Sequence, residues 1–319
     1  MADSLTQNDE IFARNDEFDE DEDHANQPQQ IVPKHHPKSS IDSKADDKQD
    51  NQTLMIAATN FKYDIDKIFK TDKDTYLYTS IPKDHLGFVP CRITRHKGVS
   101  TTFHMYFEGQ NENDLTFLLT ARKHLSLNGH SEYIIGIDEN ISKTLTDGNS
   151  VALLKGMNII GSEYVLYDQR FCSTNPQNKE QLAAIVYNEH IFGSKDVRKL
   201  TVLLRDPEKT VEPTKEHEVL INQWRAGHTT DLIEIKNKTP EYNEESKKYI
   251  LNFFENRVKL PSHKNFQLCT STGENHEDNI IMQFGRIDDN NFALDYRYPL
   301  TAIQAFGIAL SSFHNRFRP

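Results

Sequence analysis

Near the C-terminus, fourteen consecutive residues, Leu300 to Phe313 (LTAIQAFGIALSSF), carry no charge. They follow Tyr298-Pro299, and a proline placed in the first turn of a helix sacrifices no hydrogen bond. On a 3.6-residue wheel Leu300, Ile303, Phe306, Ile308, Ala309, Leu310 and Phe313 spread around most of the circumference, with only Thr301, Gln304, Gly307, Ser311 and Ser312 between them. A helix that is apolar nearly all round must be buried nearly all round. At 1.5 Å per residue it would be roughly 21 Å long, short of the roughly 30 Å of a bilayer core, so the spacing favours burial inside protein.

What must cover that helix can be read from the preceding residues. Short segments rich in Thr, Tyr, Phe, Val and Ile alternate with polar turns: residues 90–95, 101–107, 115–121, 131–138, 162–168, 199–205, 231–237, 248–254, 265–271, 279–286 and 291–296. These read as about eleven strands. Two further helices are expected, across Glu180 to Asn188 and across Glu216 to Trp224. Strands joined by turns avoid unpaired edges by closing into a barrel, and a large barrel leaves a lumen that something apolar must fill. The expected fold class is therefore β-dominated (α+β), a closed, roughly twelve-stranded β-barrel around a central apolar C-terminal helix.

The net negative charge lies almost entirely outside this region. Residues 1–50 hold fourteen acidic and five basic residues, while the remainder of the 319-residue chain has a net charge of only −2. Residues 1–50 contain too little apolar area to offset the entropy of ordering and are expected to form a disordered acidic tail. Ile11, Phe12 and Phe18 sit among its acids as a possible docking motif, with a solubilising tail as the plainer reading. Residues 51–75 are expected to be a linker and 76–319 the folded domain. A near-neutral body argues against extended nucleic-acid binding. The N-terminus has neither a basic region nor an apolar run, which predicts a cytoplasmic protein, and Cys91, Cys172 and Cys269 read as reduced thiols.

The last third of the chain closely resembles the signature blocks of the tubby-like protein family. The matching segments are NKTPEYN (237–243), YILNFFENRV (249–258), KNFQL (264–268), IIMQFGRIDDNNFALDYRYPL (280–300) and QAFGIALSSF (304–313). CRITRHKG (91–98), FLLTARK (117–123), NIIGSEYVLYD (158–168) and QLAAIVY (181–187) continue the match in order. The resemblance implies a twelve-stranded barrel threaded by its C-terminal helix. It also implies a monomeric, non-enzymatic adaptor without a cofactor that associates peripherally with plasma or ciliary membranes. Such an adaptor binds phosphatidylinositol bisphosphate and links membrane cargo proteins to intraflagellar transport.

Holding a bisphosphorylated inositol ring takes several converging cationic and amide donors. The family's site resembles a Lys and an Arg two apart in one strand, an Asn in the neighbouring strand, and an Arg before a further segment. Aligned on GKLRSN, these positions become Leu154, Gly156, Glu132 and Lys179, with Lys155 between the first two. Lys179 keeps charge but loses the bidentate fork. The family's basic run is shortened to Arg122-Lys123-His124. Two readings follow. In the first, a rebuilt pocket uses Lys155, Lys179, Arg122 and Lys123, with a one-residue bulge bringing Lys155 into a vacated ligand position. In the second, Glu132, Leu154 and Gly156 have removed the pocket and the barrel is a protein-binding scaffold.

Nucleophile, P-loop and metal-ligand motifs are missing from the sequence, and His96, His124 and His263 stand beside basic residues, unlike metal ligands. Asp288-Asp289 reads as a turn, Trp224 as a packing residue on a surface-covering helix, and Arg257, Lys259 and Lys264 as a solvated basic strand.

Overall fold

The computed structural model describes residues 68–69, 71–85, 87–109, 114–140, 150–170, 180–187, 199–209, 219–244, 248–270 and 279–313. The acidic tail 1–50, most of the linker 51–75, Lys179 and Cys172 lie outside them. Twelve antiparallel strands close into a barrel. They are β1 (Val89–His96), β2 (Thr102–Glu108), β3 (Leu115–Leu125), β4 (Ser131–Gly136), β5 (Ser150–Gly156), β6 (Glu163–Asp168), β7 (Gln181–Tyr187), β8 (Leu200–Arg205), β9 (Leu232–Asn237), β12 (Phe266–Thr270), β13 (Ile280–Arg286) and β14 (Asn291–Tyr296). Sequential strands pair around the wall, β9 meets β12, and β14 returns to β1 through Cys91↔Leu294 and its neighbours. The two short strands β10 (Glu241–Asn243) and β11 (Lys248–Ile250) form a separate ribbon between β9 and β12.

Helix α3 (Ala302–Ser311) is buried on every face and touches β5, β6 and β7 on one arc and β14 on the other, so it fills the lumen. Helix α1 (Lys73–Tyr78) packs against it, burying Tyr76 and Leu77, with Ile68 and Phe69 against the same core. The expected proline start is corrected: Pro299, in a cis bond to Tyr298, precedes the helix. Thr301 instead caps it, its hydroxyl accepting from Gln304 N while the Gln304 side chain accepts from Thr301 N.

The helix expected across Glu180 to Asn188 is strand β7. Its residues are apolar on both faces, because Ala183, Ile185 and Tyr187 enter the lumen while Ala184 and Val186 lie under helix α2 (Leu220–Arg225) on the outer wall. A strand covered on both sides loses the polar–apolar alternation that identifies strands, so periodicity alone suggests a helix. Trp224 packs on this outer cluster, and its indole donates to Glu234 at 3.1 Å.

A second outer cover runs from Leu251 to Leu260. Only Lys248–Ile250 of the expected 248–254 strand is extended and paired; Phe254–Asn256 form a 3₁₀ turn. Of the expected solvated basic strand, only Lys259 is exposed, and none of the three residues lies in a strand. Lys264 is buried, and the Arg257 guanidinium lies between Glu108 and Asp295, with Nη2 donating to the Cys91 carbonyl at 2.8 Å. Gln283 donates to Asp295 at 2.6 Å. Burial pushes the Asp295 carboxyl from 3.8 up to about 6 despite the neighbouring Arg257. The folded state then binds this proton more tightly than the unfolded chain. The stability that Asp295 contributes is therefore complete below about 3.8 and lost as pH rises through about 6. Urea denaturation across that window should show the wild type's advantage over Asp295→Asn shrinking as pH rises; a constant difference would contradict the raised pKa.

Candidate functional site

The sequence-predicted residues fall on strands β3, β4 and β5, where pairing register decides which way each side chain faces. Lys123 pairs with Tyr133, and Tyr133 with Leu154, whose side chain is buried in the lumen core. Directly opposed residues share a face, so Lys123 points inward. Its ammonium donates to the carbonyl of Phe313 at 3.2 Å, satisfying a backbone acceptor at the end of α3 and placing positive charge at the helix C-terminus.

The outward rows lie one residue to either side. His124, Glu132 and Lys155 form one row, continued by Val165 under the edge of the α2 cover. Arg122, Ile134 and Leu153 form the next. Lys155 is exposed and Arg122 half-buried, and neither makes an ion pair or hydrogen bond with another described residue. Two carboxylates on the same outer face are engaged elsewhere: Glu132 Oε2 lies 3.2 Å from His124 Nε2, and Glu163 accepts from Arg225 at 2.7 Å. The outer wall therefore presents two cations free to meet an anion.

The expected one-residue bulge is present. Ile135 pairs with Ala152 but Gly136 pairs with Ser150, so Val151 is an extra residue in β5. Two of the aligned positions do not face outward. Leu154 is buried inside the barrel, and a Cβ on Gly156 would lie 2.9 Å from the Ser131 carbonyl oxygen, so neither position can face a ligand on the side of Glu132. The two residues of β5 that flank Leu154 on the outer face are Leu153 and Lys155, so a cation two apart from an apolar residue stands where the unshifted alignment shows none.

A profile described as the Tub family matches residues 77–315. Tubby-related protein 3 of Homo sapiens is 35% identical over 282 residues, covering 83% of this chain and 60% of that protein. Tubby protein homolog 1 of Caenorhabditis elegans is 32% identical over 251 residues (71% of this chain, 56% of that protein). Protein king tubby 1 of Aedes aegypti is 34% identical over 236 residues (71% and 56%). The chain thus spans little more than half the length of these curated relatives.

Proposed function

Because the chain belongs to the Tub family, we propose that it is a non-enzymatic phosphoinositide-binding adaptor whose barrel meets a bisphosphorylated inositol headgroup on the outer wall of β3–β5. The observation that carries this reading is Lys155, projecting beside Glu132 after the Val151 bulge without an ion-pair or hydrogen-bond partner among the described residues. Arg122 would supply the planar fork suited to a phosphate from the neighbouring row, and Lys179 a third cation. Lys123 is engaged at Phe313 and would contribute through the local field alone. Linking membrane cargo to ciliary or vesicular trafficking, through cargo or intraflagellar transport proteins, is part of the same proposal. It rests on family membership, and no helix of the described residues is long and apolar enough to cross a membrane. The scaffold alternative loses most of its basis once Leu154 and Gly156 are seen to face inward; Glu132 is what remains of it.

Liposome sedimentation tests the reading. Vesicles containing phosphatidylinositol bisphosphate should retain the protein and plain phosphatidylcholine vesicles should not. At about 1 kcal/mol per basic residue near an anionic surface, Lys155→Ala should weaken retention about fivefold, and Glu132→Asn, which removes an anion beside the headgroup, should strengthen it by a similar factor. Equal sedimentation with both kinds of vesicle would end the proposal.

A further inference from the structure

Three hairpins that follow one another around a single rim of the barrel each end in exposed aliphatic side chains. Val99 tips the β1–β2 turn at 70% exposure, Leu127 the β3–β4 turn at 107%, and Ile159 and Ile160 the β5–β6 turn at 54% and 56%. Register makes them neighbours. His96↔Thr102 closes the first hairpin, Thr102↔Arg122 joins it to the second, Leu125↔Ser131 closes the second, and Glu132↔Lys155 joins that to the third. Single exposed aliphatics are ordinary on protein surfaces, but four on consecutive tips of one rim form a cluster that water disfavours.

Arg122 and Lys155, without partners among the described residues, stand on the strands directly below these tips. The next hairpin round the rim, residues 287–290, carries exposed Asp288 and Asp289 and no exposed large apolar residue. Apolar tips and cations therefore share one arc, where Glu132 and Glu163 are engaged by His124 and Arg225, and the exposed acids Asp288 and Asp289 lie on the next hairpin. This order, aliphatic at the extremity and cationic just behind, complements a bilayer, whose anionic headgroups lie outside its hydrocarbon.

Two of the three turns are braced by their own hydrogen bonds. Ser126 N donates to His130 O at 2.9 Å and Gly129 N to Ser126 O at 2.8 Å. In the β5–β6 turn Asn158 Nδ2 donates to Ser162 Oγ at 2.8 Å, Ser162 N donates to Asn158 Oδ1 at 3.0 Å, and Met157 N donates to Glu163 O at 2.8 Å. The tips are convex, and the closed wall offers a peptide no free strand edge to extend.

We propose that this rim docks on a phospholipid surface, with Leu127, Ile159 and Ile160 entering the boundary between headgroups and acyl chains while Arg122 and Lys155 meet the headgroup. The inference rests on the headgroup reading and adds the depth and orientation of docking. Leu127→Trp, mixed with bisphosphate-containing vesicles whose acyl chains are brominated, should lose most of its added tryptophan emission. Trp224 in the wild type, held by Glu234 on the side wall, provides the baseline. Leu127→Ser combined with Ile159→Ser and Ile160→Ser changes no core residue and should weaken sedimentation by about tenfold or more. If both variants sediment like the wild type and the new tryptophan is unquenched, insertion is refuted while headgroup binding stands; that is also the result a protein ligand for the rim would give. If the wild type ignores bisphosphate vesicles altogether, the headgroup reading fails and this inference fails with it.

Discussion

Truncating Phe313 to alanine should destabilise the protein by about 3–5 kcal/mol, the upper range for losing a buried aromatic ring. The ring sits at the C-terminal end of α3, its centroid 4.7 Å from Phe103 on β2 and 4.8 Å from Phe292 on β14, edge-on to the latter, with Phe284 on β13 at 5.9 Å. Those three strands belong to a closed ladder in which each is hydrogen-bonded on both sides. They cannot move inward to fill the space without breaking register, so most of the cavity would persist and the cost would not relax away. For a domain of this size the melting temperature should fall by roughly 10 °C. Lys123 bonds the backbone carbonyl of residue 313, which alanine retains, so the variant isolates packing from capping. A loss below about 1 kcal/mol would mean that the ring is not enclosed by the wall.

The central helix was legible because its signal is a property of composition: a segment without charge on any face can sit only where no face meets water. Most strands were legible for a related reason, since one wall of a barrel is wet and the other dry, which leaves a period of two. That reasoning fails where the wall is dry on both sides. Strand β7, under α2 outside and α3 inside, carries the same unbroken apolar run as a buried helix, and its sequence alone reads as one. Arg257 failed in the opposite direction. A basic residue in NRVKLPSHK reads as surface, and nothing local reveals that Glu108 and Asp295, 149 and 38 residues away, converge on it. At the candidate site the residue types were visible but their facing was not. One inserted residue at Val151 exchanges inside for outside along the rest of β5, and only the pairing partners Ile135↔Ala152 and Gly136↔Ser150 locate it. The apolar rim was also invisible, because Val99, Leu127 and Ile159 are far apart in sequence and adjacent only once the hairpins are ordered around the barrel.

Arg257→Ala should cost about 3–5 kcal/mol, through charge rather than volume, since removing one partner of a buried ion pair leaves the others uncompensated. Glu108 and Asp295 are both largely buried, and Arg257 is the cation they share, with Arg92 near the far oxygen of Glu108. The Cys91 carbonyl would also lose its donor. The same residue fastens the Leu251–Leu260 cover, which lies against the wall so closely that a Cβ on Gly285 would approach Val258 to 2.6 Å. Loss of the guanidinium should therefore loosen the cover as well as expose the acids. Two companion variants separate the contributions. Arg257→Lys restores charge without the fork and should recover part of the loss. Asp295→Asn in the Arg257→Ala background should recover more than the single effects predict, because it removes one of the stranded carboxylates. Chemical denaturation of the four proteins measures this coupling; strict additivity would mean that the acids are neutral or hydrated in the fold, and the ionic account of the outer cover would be wrong. Trp224, on α2, packs on a different part of the wall, so its fluorescence should follow global unfolding alone, while hydrogen exchange of residues 251–260 should report loosening of the cover before it.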